Sequence, residues 1–112
     1  MQTEMAFGVK LGMNKAERLD TGSSQMTHAM LLTAVHLDET TGKPIRWRIE
    51  NSWGPDAGPF KGFLVMSDEW FSQYVYQIAA PRSKCPPAIL KVIDETEPVQ
   101  LPPWDPMGAL AT

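Results

Sequence analysis

An α+β fold, a small antiparallel sheet with short helices, is predicted by three features of this sequence. The stretch "IRWRIEN" alternates, placing Ile45, Trp47 and Ile49 on one face and Arg46, Arg48 and Glu50 on the other, as a half-buried strand does. Just upstream, the apolar run "MTHAMLLTAVHL", with Thr and Val in it, suits a largely buried strand, and "DETTGKP" between the two reads as a turn. Helix-start signals appear at Asn14, at Ser67 and at Pro86–Pro87.

In chain order, Asn14 stands three residues before Glu17, a capping pair, and Gly22 is a stop, so a helix is expected over about Lys15 to Leu19. The hairpin follows, with strands over residues 26–37 and 45–51. "GPDAGP" is a loop and "GFLVM" a third strand. Ser67 caps a short helix through "DEWFSQY", and "VYQIAA" reads as a fourth strand. Pro86 and Pro87 open a helix running to about Asp94. The remainder, "EPVQLPPWDPMGALAT", is broken by proline and is expected to be an extended tail, with Trp104 anchoring it against the body. Neither an internal repeat nor a linker divides the chain, so residues 1–112 read as one unit.

Composition narrows the function classes. A chain of 112 residues, 43% apolar, has room for one small core and is not disordered by composition. The net charge of −3, with Lys and Arg scattered, speaks against a nucleic-acid groove. One cysteine cannot form an internal disulfide, so the chain reads as intracellular and reducing. No apolar run approaches the roughly 20 residues of a membrane span, and the start has no signal-peptide pattern.

The residues that carry chemistry are His28 and Asn51. A histidine can take and return a proton near neutrality, and does so reliably when one ring nitrogen is held by a fixed acceptor. An Asn side-chain oxygen is such an acceptor and leaves the other nitrogen for a nucleophile. From a turn centred near Thr41, His28 lies about thirteen residues back and Asn51 about ten forward, so a hairpin with a bulge brings them near one level. The plainer reading stands beside this one: a histidine at a strand edge is ordinarily structural, and an Asn before Ser-Trp-Gly is ordinarily turn chemistry. His36 and Asp38 would share a strand face as two metal ligands, but a zinc site wants three or four and nothing completes it. No metal or other cofactor is expected.

Resemblance adds to this. "MTHAM" followed by "ENSWG" looks like the His and Asn half of papain-like cysteine peptidases. "MNKAERL", "RIENSWG", "MSDEWFSQYVYQI" and the closing "LPPWDPMGALA" resemble, more narrowly, the bleomycin hydrolase family of cytosolic cysteine aminopeptidases. The likeness runs from about Met13 to Ala111. It implies the β-rich right lobe of the papain-like fold, with His28 as the catalytic base and Asn51 as the residue that orients it. Trp53 is implied as the tryptophan packed over them and, with Ala111 and Thr112, as a substrate-binding residue. Residues 98–112 match the family's C-terminal arm, which lies in the active-site cleft. Its terminal carboxylate, Ala111 once Thr112 is removed, can hold a substrate's free amino group. The resemblance also implies a cytoplasmic homohexamer acting on peptides, with no membrane and no metal.

One departure is large. The family's Gln and Cys-Gly-Ser-Cys-Trp-like motif is not in this sequence. The single cysteine, Cys85 in "RSKCPPAIL", matches no catalytic position. The chain is therefore expected to be the C-terminal piece of the enzyme, inactive alone and partnered by a missing N-terminal half that carries the nucleophile. The alternative is a non-catalytic binding or assembly module.

Overall fold

The computed structural model describes residues 3–108. Its centre is a three-stranded antiparallel sheet in the order β1-β2-β3, formed by Leu31–Leu37, Pro44–Glu50 and Phe63–Ser67. The helices are α1 (Thr3–Phe7), α2 (Lys15–Asp20), α3 (Asp68–Tyr74) and α4 (Pro87–Glu95), with 3₁₀ turns at Arg82–Lys84 and Pro106–Gly108. The α+β expectation holds, with short helices around a small antiparallel sheet.

The capping signals act as the sequence indicates. Asn14 Oδ1 accepts the Glu17 N–H at 3.0 Å, and Glu17 Oε2 accepts the Asn14 N–H at 2.7 Å, so two donors at the start of α2 are satisfied reciprocally. Ser67 Oγ accepts the Trp70 N–H at 3.2 Å and starts α3. Pro87 occupies the first turn of α4, where its missing N–H has no intrahelical partner to lose.

The hairpin turn is closed by Asp38. Its Oδ1 accepts the N–H groups of Thr40 and Thr41 and the Thr41 hydroxyl at 3.1, 2.7 and 2.8 Å. These donors, the Thr41 N–H foremost, hold the Asp38 carboxyl below its ordinary pKa. The ladder carries two irregularities, with Thr33 extra on β1 and Ile45 extra on β2. The Thr33 hydroxyl mends the first, accepting Arg48 Nε–H at 3.0 Å and donating to the Arg48 carbonyl at 3.2 Å. The second turns Ile45 off the alternation: it is exposed, while Trp47 and Ile49 keep the inner face as expected. Trp47 stacks on Phe71 of α3 at 4.5 Å and donates Nε1–H to Asp68 at 2.8 Å, fixing that helix against the sheet.

Two strand expectations are corrected. β1 begins at Leu31, not Met26, because β2 ends at Glu50 and the Asn51 N–H is given to the Gly62 carbonyl on the β3 side. Residues 26–30 thus have no ladder to join. "VYQIAA" is extended but forms no strand. The Val75 carbonyl is taken at 2.7 Å by the Lys15 ammonium, and the segment is tied sideways by Tyr76 Oη–H donating to Ser24 Oγ at 2.7 Å.

The core is thin. Among the described residues only Met26, Ile49 and Met66 are buried apolar side chains, and none is fully sealed. Phe7, Phe60 and Val99 are more than two-thirds exposed, and the apolar residues Ile89, Val92 and Ile93 of α4 lie in the open. The radius of gyration is 17.1 Å, against about 13 Å for a compact domain of this length. Apolar surface on this scale is what a lobe presents to another body.

Candidate active site

His28 leaves the extended segment ahead of β1, and Asn51 follows the last residue of β2. The last ladder pair is Leu31 with Glu50, so both residues stand just beyond the same end of the hairpin. There His28 Nε2 and Asn51 Oδ1 meet at 2.7 Å. The Ser52 backbone N–H also donates to Asn51 Oδ1, at 2.8 Å. A backbone N–H requires an acceptor, so the amide orientation is fixed: that atom is the oxygen, and Nε2 must donate to it. The neutral ring then carries its bare nitrogen at Nδ1.

Asn51 is held from three sides. It is 8% exposed, its N–H is bonded to the Gly62 carbonyl at 3.0 Å, and its side chain bridges Ser52 and His28. Gly62 has φ +85°, and a Cβ there would lie 2.8 Å from the Gly54 carbonyl oxygen, so the loop between Asn51 and Gly62 closes only around glycine. Trp53 leaves this loop to lie beside His28, ring centroids 5.6 Å apart and tilted by 32°. Its outer face is open, at 70% exposure.

His28 lines an open depression of about 920 Å³ together with Met26, Met66, Tyr74, Tyr76 and Gln77. The stretch from Ser72 to Tyr76 is braced by two cations. Lys15 Nζ donates to the Ser72 and Val75 carbonyls at 2.9 and 2.7 Å and sits 5.0 Å from the Tyr76 ring centre. Arg18 donates to the Gln73 carbonyl and side chain at 3.1 and 2.8 Å and covers Tyr74. Carbonyls at the end of α3 are thereby satisfied by cations, which suits a helix C-terminus. The roles of Ser52, Gly62, Lys15 and Arg18 were not anticipated. The paired glycines Gly54 and Gly62 around a proline-containing loop were a signal for the first two; the roles of Lys15 and Arg18 had none.

The remaining candidates fall elsewhere. Cys85 is half-buried, its Sγ 3.7 Å from the Pro81 carbonyl, and is not among the residues lining the depression. His36 Nδ1 accepts Arg46 Nε–H at 3.0 Å, which gives that nitrogen a cation for a neighbour. Among the described residues no group of three or more His, Cys, Asp or Glu side chains is placed to hold a metal. No helix there is long and apolar enough to cross a membrane. Ala111 and Thr112 lie outside the described residues. Trp104, expected to anchor the tail, is 83% exposed among the described residues. The tail meets the body three residues later, where Gln77 Nε2–H donates to the Met107 carbonyl at 3.3 Å.

A small antiparallel sheet with short helices around it and a His–Asn pair just beyond one end is the arrangement that the papain-like resemblance implies. The chain belongs to the Peptidase C1-like family, whose model matches residues 1–108. Human bleomycin hydrolase is 56% identical over 110 residues, covering 96% of this chain and 24% of its own length. Aminopeptidase C of Lactobacillus delbrueckii subsp. lactis is 51% identical over 112 residues, 98% of this chain and 24% of its own. The mitochondrial cysteine proteinase 1 of Saccharomyces cerevisiae is 44% identical over 108 residues, 95% of this chain and 22% of its own. The crystal structure of PepW from Lactobacillus rhamnosis HN001 superposes with a TM-score of 0.85 at 47% identity, over 96% of this chain and 24% of that one. The chain thus spans about a quarter of the length of the curated relatives it matches.

Proposed function

We propose that this chain is the His–Asn half of a cysteine aminopeptidase, with His28 as general base and then acid and Asn51 as the residue that orients it. The observation that carries the reading is the double engagement of Asn51 Oδ1, which commits His28 Nε2 as a donor and leaves Nδ1 to work. Nδ1 takes the proton of a cysteine thiol supplied from outside these residues. The thiolate attacks the peptide carbonyl, and the imidazolium Nδ1–H protonates the departing amine as the C–N bond breaks. In the second half-reaction Nδ1 takes a proton from water, whose oxygen displaces the thiolate from the thioester. Through both steps Nε2–H stays on Asn51, so the ring is not free to swing. Trp53 shields that bond on one side.

The open depression and the thin core support a lobe whose apolar surface is shared with the body carrying the nucleophile. Residues 98–112 are read as an arm whose terminal carboxylate, at Ala111 after loss of Thr112, pairs with a substrate's ammonium and so restricts the enzyme to free amino termini. A homohexamer in the cytosol belongs to the same reading. The lone thiol suits that compartment, although the yeast relative is named for mitochondria.

One observation favours the second reading, a binding or assembly module without activity. The only cysteine, Cys85, does not line the depression that holds His28. Both readings expect the chain alone to release nothing from aminoacyl amides, so the measurement that separates them uses the complete enzyme. In the complete enzyme His28→Ala should lower kcat by several orders of magnitude, on the order of the loss of a triad base, and Asn51→Ala should cost less, because proton transfer survives and only orientation is lost. Full activity of His28→Ala in the complete enzyme would leave the module reading in possession.

A further inference from the structure

The carboxyl-terminal segment is exposed from Lys91 to Trp104 and becomes half-buried only over Asp105–Gly108. At that point it folds into a 3₁₀ turn that satisfies its own donors. Asp105 Oδ1 accepts the Met107 N–H at 2.8 Å, and the Gly108 N–H reaches the Asp105 carbonyl at 2.9 Å. The Met107 carbonyl is left pointing away from these bonds, and the Gln77 side chain donates to it. Among the described residues this is the one side-chain hydrogen bond joining the body to the segment beyond Trp104. Gln77 sits on the wall of the same depression that His28 lines, directly after Tyr76, which is tied to Ser24.

We propose that Gln77 is a positioning residue for specificity: it latches the Met107 carbonyl and so holds the described end of the arm at the wall of the depression that His28 lines. This rests on the reading of residues 98–112 as an arm that limits the enzyme to free amino termini, and it names the contact that keeps the arm there. The chemistry of the side chain suits the task. An amide donates to a carbonyl without carrying charge. A lysine or arginine at position 77 would itself attract the arm's carboxylate, and a glutamate there would compete with it for the substrate's ammonium. The latch is a single neutral bond. Losing it should raise the fraction of arms away from the site about fivefold, the worth of one such bond.

The test uses the complete enzyme with Gln77→Ala, with Gln77→Met, which keeps the length and removes the donor, and with a form truncated before Met107. Each is assayed on an N-acetylated peptide and its free-amine twin, with active sites counted by a thiol titrant. Both Gln77 variants should raise kcat/KM on the blocked peptide, relative to the free one, by about fivefold, and the truncated form should raise it further. A role confined to packing would lower both rates together with the number of titratable sites, and that outcome overturns the proposal. If truncation opens the enzyme to blocked peptides while neither Gln77 variant does, the latch is wrong and the arm reading stands. If truncation changes nothing, the arm reading fails and the latch goes with it.

Discussion

Gly62→Ala tests the local architecture of the site most directly. Gly62 has φ +85°, a conformation that costs an L-residue roughly 1–2 kcal/mol. The added methyl carbon would also stand 2.8 Å from the Gly54 carbonyl oxygen, a backbone atom that already accepts the Ala57 N–H at 3.2 Å. Something must move, and the Gly62 carbonyl that would move with it holds the Asn51 N–H. Loss of that bond adds about 1 kcal/mol, for a total of roughly 2–3 kcal/mol. A displacement of Asn51 by about 1 Å carries the His28 ring along, and misplacement on that scale can cost on the order of 100-fold in rate. Gly58 provides the control. Its φ is +80°, yet a Cβ there would meet nothing within 4 Å, so Gly58→Ala bears the conformational strain alone. Thermal unfolding and kcat/KM of both variants in the complete enzyme should separate them by about 1 kcal/mol or more in stability and at least about tenfold in rate. Equal losses in the two variants on both measures would refute the account of the Gly54–Gly62 contact as the anchor of Asn51.

Two further outcomes follow from the same structure. The Asp38 carboxyl has its pKa lowered by the Thr41 and Thr40 donors, so its contribution is present above the ordinary carboxylate pKa and is lost as pH falls through the lower folded value. Hydrogen exchange at the Thr40 and Thr41 amides should therefore accelerate as pH drops below about 4, after correction for the intrinsic rate, and Asp38→Asn should flatten that dependence. Ser67→Ala removes the cap of α3 and should cost about 1 kcal/mol, read by denaturant unfolding; since α3 carries the Phe71 that stacks on Trp47, indole fluorescence should report the same transition.

The sequence made the hairpin legible because Trp47 and Ile49 obey a period-two pattern and Asp38–Gly42 is strong turn chemistry. It made the His28–Asn51 meeting legible because strand pairing converts separation along the chain into proximity, with only a bulge to absorb the mismatch. Capping at Asn14 and Ser67 was readable for the same reason: each bond spans three residues, so local sequence contains both partners. What failed was set by contacts far along the chain. Val75–Ala80 has strand composition, but Lys15, sixty residues upstream of Val75, takes the carbonyl at its start. Residues 26–30 are apolar enough for a strand, yet Asn51 turns its N–H to Gly62 and leaves them without a partner. Trp104 was expected to anchor because it is large; burial depends on what lies opposite, and among the described residues Trp104 stays 83% exposed.

The Lys15 clasp has a consequence for how the chain can be divided. A single ammonium joins residues separated by 57 and 60 positions, closing the whole sheet, His28 and Asn51 into one ring. The length of such a ring is inexpensive to change, since each doubling of loop length adds only about 0.6 kcal/mol of chain entropy. The ring from Asn14 to Ala80 is therefore the natural cassette for transplanting or splitting this half-site. The segments outside it, α1 and α4 among them, hang from the ring by few contacts and leave Met5, Phe7, Ile89, Val92 and Ile93 exposed. A swap that cut between Lys15 and Ala16 would spare the strands and still open the ring, because the clasping ammonium would be left behind, whereas junctions ahead of Asn14 and beyond Ala80 would carry the His–Asn pair across intact.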